Sequence, residues 1–342
     1  MHENGGASNF ICKNNWGNKY RGNFGLYTNK YVIAGSGRSG TTWILDALAS
    51  ANALRTIFEP LHPQAIPKAR PFANAYVAKG AEYRDLRNYL DSIFTGNIKS
   101  IWANYRVRPD RLMPRFSNVG DLKELKSYVR RYINLWNNYR QYGVNKGQKG
   151  LMIKFIRANL MLGWLEANYD IKILFVVRHP GAVVASQLEK GEEWDASALT
   201  QFTKNMLLWR DHLGKHEKFL SKNLTRLELY TTIWCIQNAF SIQESIDSGR
   251  PITYYERLIT ESENEWARIT HALRLSNIPE SAVISAPSQQ SSNISARDLE
   301  DNTIRVSRWT QGLSKQDLAN MQRVLDEFGV SVYSAHDVIP IS

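Results

Sequence analysis

The 342-residue sequence predicts an α/β protein of three layers, in which helices cover both faces of a central parallel sheet of about five strands. The apolar run 31–34 leads directly into a glycine-rich turn and then into a stretch with helical spacing. The run 171–177 is continuous, β-branched and bounded by polar residues, as a central parallel strand should be. Further strand candidates, separated by helical stretches, are 54–58, 150–155 and 251–258.

Charge and cysteine content narrow the class of ligand and the compartment. The net charge of +11 and the pI near 9.5 indicate an anionic ligand or partner. The basic residues are spread along the chain without a block, so nucleic acid is not the expected partner. Cys12 and Cys235 form neither a disulfide framework nor a zinc pattern. Residues 1–30 contain no apolar targeting segment, so we expect a soluble, cytoplasmic protein with no membrane partner. The oligomeric state stays open.

The first βα turn nearly matches the phosphate-binding pattern G-x-x-x-x-G-K-[ST]. Gly35 and Gly40 have the required spacing, and Thr42 stands at the hydroxyl position. Thr41 replaces the lysine, however, and the basic residue comes earlier, at Arg38. A loop without that lysine is poorly suited to ATP hydrolysis, but its N–H groups and the helix N-terminus can still hold a phosphate.

Two separate motifs resemble those of the sulfotransferases that use 3′-phosphoadenosine-5′-phosphosulfate (PAPS). Residues 38–43, Arg-Ser-Gly-Thr-Thr-Trp, fit the family's [KR]-S-G-T-T-W loop. Arg178 and Ser186 have the spacing of a second motif, which binds the 3′-phosphate of PAPS in that family. The resemblance implies a P-loop-like fold, PAPS as the donor and no need for a metal. The residues it assigns to the 5′-phosphosulfate are Arg38, Ser39, Gly40, Thr41, Thr42 and Trp43.

The resemblance covers residues 31–63 and 151–258, and it is weaker over 305–313. It places Tyr255, in a Y-E-x-L segment, near the adenine of the donor. Family members also have a basic C-terminal loop that folds over the 3′-phosphate. Arg305 and Arg308 are both candidates for that contact, and the sequence does not choose between them.

The catalytic residues differ from those of the cytosolic family members. Their third strand carries K-T-H, whose histidine is the general base, whereas this chain keeps Lys154 and has Ile156 at the histidine position. The base is therefore expected after the second strand, at Glu59 or His62, with Glu59 favoured because it lies closer to the strand end. Lys154 would contact the bridging region of the donor, and Arg38 would stabilise charge on the leaving phosphate.

Residues 64–149 lie outside the resemblance. Aromatic and arginine side chains alternate there, and residues 121–142 have helical periodicity. We interpret this segment as a helical insertion that closes over the acceptor, within a single domain spanning 1–342. A carbohydrate or a small-molecule natural product, sulfated on a hydroxyl or an amine, is the expected acceptor.

Two rival functions remain open beside the sulfotransferase. A P-loop kinase of a small molecule would need the missing lysine, and it would often have an aspartate for Mg²⁺ where the fourth strand ends in Arg178. A basic nucleic-acid-binding protein could use the same scaffold, and its binding would be sensitive to salt.

Overall fold

Five parallel strands form the sheet of the computed structural model, which describes residues 27–108, 122–142, 148, 150–189, 191, 197–281 and 301–341. Their spatial order is β2-β3-β1-β4-β5, so β1 is central and both its neighbours come later in the chain. The predicted parallel sheet of about five strands is thereby confirmed. The strands are β1 (Asn29–Gly35), β2 (Arg55–Phe58), β3 (Gly150–Phe155), β4 (Lys172–Val177) and β5 (Ile252–Tyr254). Residues 1–26, which include Cys12 and most of the segment 1–30 where no targeting sequence was predicted, lie outside the described residues.

Helices connect and cover these strands. Within the described residues, no helix is both long enough and apolar enough to cross a membrane. The α-helices are α1 (Thr41–Ala51), α2 (Arg84–Phe94), α3 (Ile101–Tyr105), α4 (Leu122–Tyr142), α5 (Leu162–Asn168), α6 (Pro180–Glu189), α7 (Ala198–Thr203), α8 (Met206–Leu208), α9 (Glu217–Leu220), α10 (Arg226–Ser248), α11 (Tyr255–Thr260), α12 (Ser262–Ala272), α13 (Asn302–Ser307) and α14 (Lys315–Glu327).

Alternation along β1 divides the hydrophobic core between the two faces of the sheet. Tyr31 and Ile33 pack with apolar residues of α1, α11 and α12 on one face. Val32 and Ala34 pack with residues of α5, α6 and α10 on the other. Because both faces are covered, the predicted three-layer arrangement is confirmed.

The fifth strand is shorter than predicted. Residues 251–258 were expected to be extended, but β5 stops at Tyr254 and Tyr255 begins α11. The reason is the partner strand: β4 ends at Val177, which pairs with Tyr254, so no ladder partner is left for Tyr255. The early turn into a helix brings Tyr255 back over the end of the sheet.

The segment 64–149 contains two kinds of helix. Helix α2 contributes Leu86, Leu90 and Ile93 to the main core, where all three are fully buried. Helix α4 confirms the helix predicted over 121–142, but it packs against α3 and leaves most of its large apolar side chains exposed. The two helices therefore have different structural roles, although the sequence grouped them together.

Candidate active site

The predicted site residues lie in a row along the carboxyl edge of the sheet. Sheet order fixes that row: Glu59 follows β2, Lys154 is near the end of β3, and the glycine loop follows β1. Arg178 follows β4, and Tyr255 follows β5. Ligands of open α/β sheets bind at this edge because loops and helix N-termini converge there.

The loop after β1 leaves no room for larger side chains at its two key glycines. A Cβ on Gly35 would lie 2.5 Å from the carbonyl oxygen of Val176. Gly40 has φ +82°, and a Cβ there would come within 2.6 Å of the Tyr255 ring. Arg38 also has a positive φ, 72°, which is uncommon for a residue with a side chain and frequent at ligand sites. The loop ends at the N-terminus of α1, so its backbone N–H groups form a concave anion site.

Two arginines converge beside this loop without a carboxylate. Arg38 Nε donates to Ser186 Oγ at 2.8 Å, and Arg178 Nη1 donates to the carbonyl oxygen of Arg38 at 3.0 Å. In the described part of the chain, no carboxylate oxygen lies within 4.0 Å of either guanidinium. Burial and the neighbouring charge of Arg178 lower the pKa of Arg38, and the charge of Glu189 opposes them only in part. Arg178 Nε is buried without an acceptor. Two positive charges without an ion-pair partner among the described residues favour the binding of an anion.

The side chain of Arg38 contacts a residue of the second motif, which the sequence did not predict. The loop motif assigned Arg38 to the 5′-phosphosulfate, and Ser186 was paired with Arg178 at the 3′-phosphate. Its side chain instead reaches 148 residues along the sequence to Ser186, so Arg38, Arg178 and Ser186 form one group. The guanidinium of Arg178 also lies 4.3 Å from the centre of the Tyr255 ring, which holds it by a cation–π contact.

A buried carboxylate that was not foreseen holds the turn after Arg178. Glu256 accepts a hydrogen bond from the backbone N–H of His179 at 2.9 Å and another from the hydroxyl of Tyr333 at 2.7 Å. Burial raises the pKa of Glu256 and lowers that of His179 to about 4. Neutral His179 accepts from Gly181 N at Nδ1 and stacks on Trp309, with ring centres 4.4 Å apart. The available signal was that Glu256 directly follows Tyr255 in the Y-E segment.

The two C-terminal arginines differ in their position relative to the loop. The guanidinium of Arg305 lies 5.1 Å from the centre of the Trp43 ring, and Trp43 is the last residue of the loop motif. Arg308 begins the next short helical turn and is exposed. Arg305 therefore contacts the last residue of the loop motif.

Lys154 and Glu59 form a buried ion pair on the other side of the loop. Lys154 Nζ donates to Glu59 Oε1 and to Thr42 Oγ1, both at 2.6 Å. β2 pairs with β3 so that Lys154 lies opposite Phe58, the residue before Glu59. Burial alone would raise the pKa of Glu59, but the charges of Lys154 and Arg157 outweigh it and hold the pKa below its ordinary value. Glu59 is also in the left-handed region, with φ 40°.

His62, the rival base, is neutral, but its unprotonated nitrogen is already occupied by a hydrogen bond. The backbone N–H of Ala65 donates to its Nδ1 at 3.2 Å, so the neutral ring carries its proton on Nε2. Burial, together with the charge of Arg157, lowers its pKa to about 4. Its ring packs edge-on against Trp102, with ring centres 4.9 Å apart. In this arrangement His62 can donate a hydrogen bond through Nε2, but it has no open nitrogen that could accept a proton.

No protein-family model matches the sequence, and a search of curated proteins found no match. Among solved structures, the sulfotransferase domain of the Synechococcus PCC 7002 olefin synthase is 16% identical with a TM-score of 0.43, covering 92% of this chain and 100% of that chain. The sulfotransferase domain from the curacin biosynthetic pathway is 15% identical with a TM-score of 0.42, covering 89% and 98%. A sulfotransferase from Alicyclobacillus acidocaldarius is 13% identical with a TM-score of 0.35, covering 87% and 96%.

Likeness this distant does not establish what the chain binds or which reaction it catalyses. All three structures are named as sulfotransferases or sulfotransferase domains.

Proposed function

We propose that this protein is a cytoplasmic sulfotransferase that transfers the sulfuryl group of PAPS to a hydroxyl or amine of a carbohydrate or small-molecule acceptor. The other product is 3′-phosphoadenosine-5′-phosphate (PAP). The observation that carries the proposal is the convergence of Arg38 and Arg178 on the glycine loop without a carboxylate within 4.0 Å in the described chain. The two sequence motifs supply the identity of the nucleotide.

The residues present fit a nucleotide with anionic groups at both its 3′ and 5′ positions. Arg38, Arg178 and Ser186 offer a fork of donors for the 3′-phosphate. The backbone N–H groups of residues 39–42, at the N-terminus of α1, suit the 5′-phosphosulfate. When bound, PAPS supplies an activated sulfuryl group, whose S–O bond to the 5′-phosphate breaks with the electron pair leaving on that phosphate. Arg305 approaches the same loop through Trp43.

Glu59 is proposed as the general base and Lys154 as the group that controls it. In the free protein, Lys154 holds Glu59 as an ion pair and also touches Thr42 on the loop. An anionic sulfuryl donor in the loop competes with Glu59 for the ammonium group of Lys154. That group already contacts Thr42 on the loop, so a small shift towards Thr42 brings it to the donor. The pKa of Glu59 then rises towards its ordinary value as it loses its partner. The freed carboxylate takes the proton of the acceptor hydroxyl as the oxygen forms its bond to sulfur.

The contact between Lys154 and Thr42 favours this reaction over a kinase reaction. In nucleoside-triphosphate loops the hydroxyl at the position of Thr42 binds Mg²⁺. Here that oxygen accepts a hydrogen bond from an ammonium group at 2.6 Å. A fixed cation from the protein thus lies where the kinase would need its metal, which suits a donor that does not require one.

The test is a comparison of variants in an assay for PAP release, with PAPS as donor and a panel of sugar and small-molecule hydroxyl acceptors. Glu59→Gln should lower kcat about a hundredfold or more and leave the KM for PAPS unchanged, because general-base catalysis contributes about that much. His62→Ala should cost less and act mainly on the acceptor KM. Glu263→Gln, an exposed carboxylate on α12, is the matched control. A nearly inactive His62→Ala beside an active Glu59→Gln would contradict the assignment of the base.

A further inference from the structure

Helix α4 carries a stripe of large apolar side chains that stay about half exposed in the part of the chain that the structure describes. These residues recur every three or four positions, so they share one side of the helix. Each of them is between 47% and 61% exposed. They are Leu125, Val129, Tyr132, Ile133, Trp136 and Tyr139.

The helix is attached to the protein along a different side. Ser127, Leu135 and Asn138 are only half-exposed and lie together on a helical wheel, about 130° away from the centre of the apolar stripe. At the C-terminal end Tyr139 contacts Tyr105 of α3, with ring centres 5.4 Å apart. Tyr139 is thus the stripe residue that also touches α3, whereas the less exposed residues of the helix lie on the other side. The part of the stripe from Leu125 to Trp136 therefore faces away from the core.

Basic residues accompany the stripe. Helix α4 contains five Lys or Arg residues and one acidic residue, Glu124. Lys126, Arg130 and Arg140 are exposed and lie along one border of the apolar stripe at helical spacing. A basic amphipathic helix with tryptophan and tyrosine on its apolar side matches the chemistry of an anionic lipid surface.

A second copy of the chain fits this surface less well. Two α4 helices packed along their stripes in antiparallel fashion would bring Lys126 of one copy towards Arg140 of the other, without an acidic residue to compensate. Half of the stripe is also aromatic, at Tyr132, Trp136 and Tyr139, whereas a coiled-coil seam prefers Leu, Ile or Val throughout. Charge and side-chain type therefore both favour lipid over self-association.

We propose that α4 is a docking helix that rests on anionic membrane surfaces, with its aromatic residues at the level of the lipid headgroups. This goes against the expectation from the sequence that the protein has no membrane partner. A chain of ring contacts connects α4 to the site, since Tyr105 and Trp102 are both on α3 and Trp102 contacts His62. Docking would therefore hold the acceptor side of the site near the headgroups, a consequence that rests on the proposed function.

The test is sedimentation of the full chain with vesicles of phosphatidylcholine, with and without phosphatidylglycerol. The protein should sediment with the anionic vesicles, and added salt should release it. Lys126→Glu with Arg130→Glu should lower the partition coefficient about tenfold or more, and Leu125→Ser with Trp136→Ser should do the same. The matched controls are the exposed residues Lys215→Glu with Lys218→Glu, and Ile246→Ser, which should bind as the wild type does.

Binding of PAP by every variant is measured in parallel, since it reports on folding and on the donor site independently of α4. Unchanged PAP binding with lost vesicle binding supports the docking role. Absence of binding to anionic vesicles by the wild-type protein would overturn it. Equal losses in the control variants would overturn it too, as would a dimer in light scattering that the α4 variants dissociate without any effect on vesicles.

Discussion

The charge of buried Arg250 and the charges of half-buried Arg38 and Arg178 are compensated in opposite ways. Arg250 is fully buried and makes a two-pronged contact with Glu166, at 2.9 and 2.7 Å, and a further one with Glu244 at 3.1 Å. Burial alone would lower its pKa, but the hydrogen bonds and charge of Glu166 raise it. Arg38 and Arg178 contact hydroxyl, carbonyl and aromatic groups, and the charges of Glu189 and Glu256 act on them without an ion pair within 4.0 Å among the described residues. The pKa of Arg38 is lowered.

We propose that this difference separates an arginine that stabilises the fold from arginines that bind a ligand. At Arg250 the protein supplies the anions itself, so the cluster gains stability and has nothing left to bind. At Arg38 and Arg178 the protein retains two like charges close together, which costs stability unless a ligand provides the missing negative charge. Substitutions in the two groups should therefore affect different measurements.

The largest effect is expected at Arg178. Arg178→Ala should weaken binding of PAP by about 2–4 kcal/mol, or about 30- to 1,000-fold in Kd, because a charge-assisted contact is lost. Binding of adenosine-5′-phosphosulfate, which lacks the 3′-phosphate, should change little. Isothermal titration with both ligands checks this, and equal losses for the two would show that Arg178 does not contact the 3′-phosphate.

Arg250→Met should show the opposite behaviour. Loss of its contacts with Glu166 and Glu244 is expected to lower the free energy of unfolding by about 2–3 kcal/mol, since both carboxylates can be rehydrated. Urea unfolding measures this, and Arg178→Ala should unfold at nearly the wild-type urea concentration. The distinction between the two groups fails if Arg178→Ala is destabilised as much as Arg250→Met.

The stability of the protein should depend on pH through His179, the residue that follows Arg178. Its pKa is about 4 in the folded protein and 6.5 as an ordinary value, so the unfolded chain binds the extra proton first as the pH falls. Stability should therefore be full above pH 6.5 and decline from 6.5 towards 4, by up to about 1.4 kcal/mol per pH unit. The difference between wild type and His179→Gln, measured by unfolding across that range, isolates this contribution; a constant difference would remove His179 from the account.

The smallest effect distinguishes the two C-terminal arginines. Arg305→Ala should weaken PAP binding about fivefold, the size of one exposed cation–π or charge contribution, because Arg305 lies over Trp43. Arg308→Ala should change it less. Titration of both variants decides the matter, and a larger loss for Arg308→Ala would mean that the C-terminal segment changes position when the donor binds.

Local sequence predicted the parts of the site that depend on neighbouring residues. The glycine loop and the spacing of Arg178 and Ser186 follow from single strand–turn–helix units, and the structure contains both units. The pairing of Lys154 with Glu59 depends on β2 lying next to β3, which is a property of the whole sheet. The contact of Arg38 with Ser186 also depends on a side-chain conformation that no spacing specifies.

Burial was the other quantity that periodicity did not provide. The helical periodicity of α4 was visible in the sequence, but periodicity does not state which side of a helix faces the core and which faces outwards. The carboxylate of Glu256 was read as part of a motif, and its partner Tyr333 lies 77 residues further along the chain. Both features are set by packing between distant segments.

The central claim is that Arg38 and Arg178 await the 3′-phosphate of an adenine nucleotide at a loop that needs no metal. Isothermal titration of the wild-type protein with PAP, AMP and ATP, each with EDTA and with Mg²⁺, tests it most directly. We expect PAP to bind equally well in both conditions and AMP to bind about 30-fold more weakly or worse, because it lacks the phosphate that the two arginines would hold. Tight binding of ATP only with Mg²⁺, and no preference for PAP over AMP, would contradict the account.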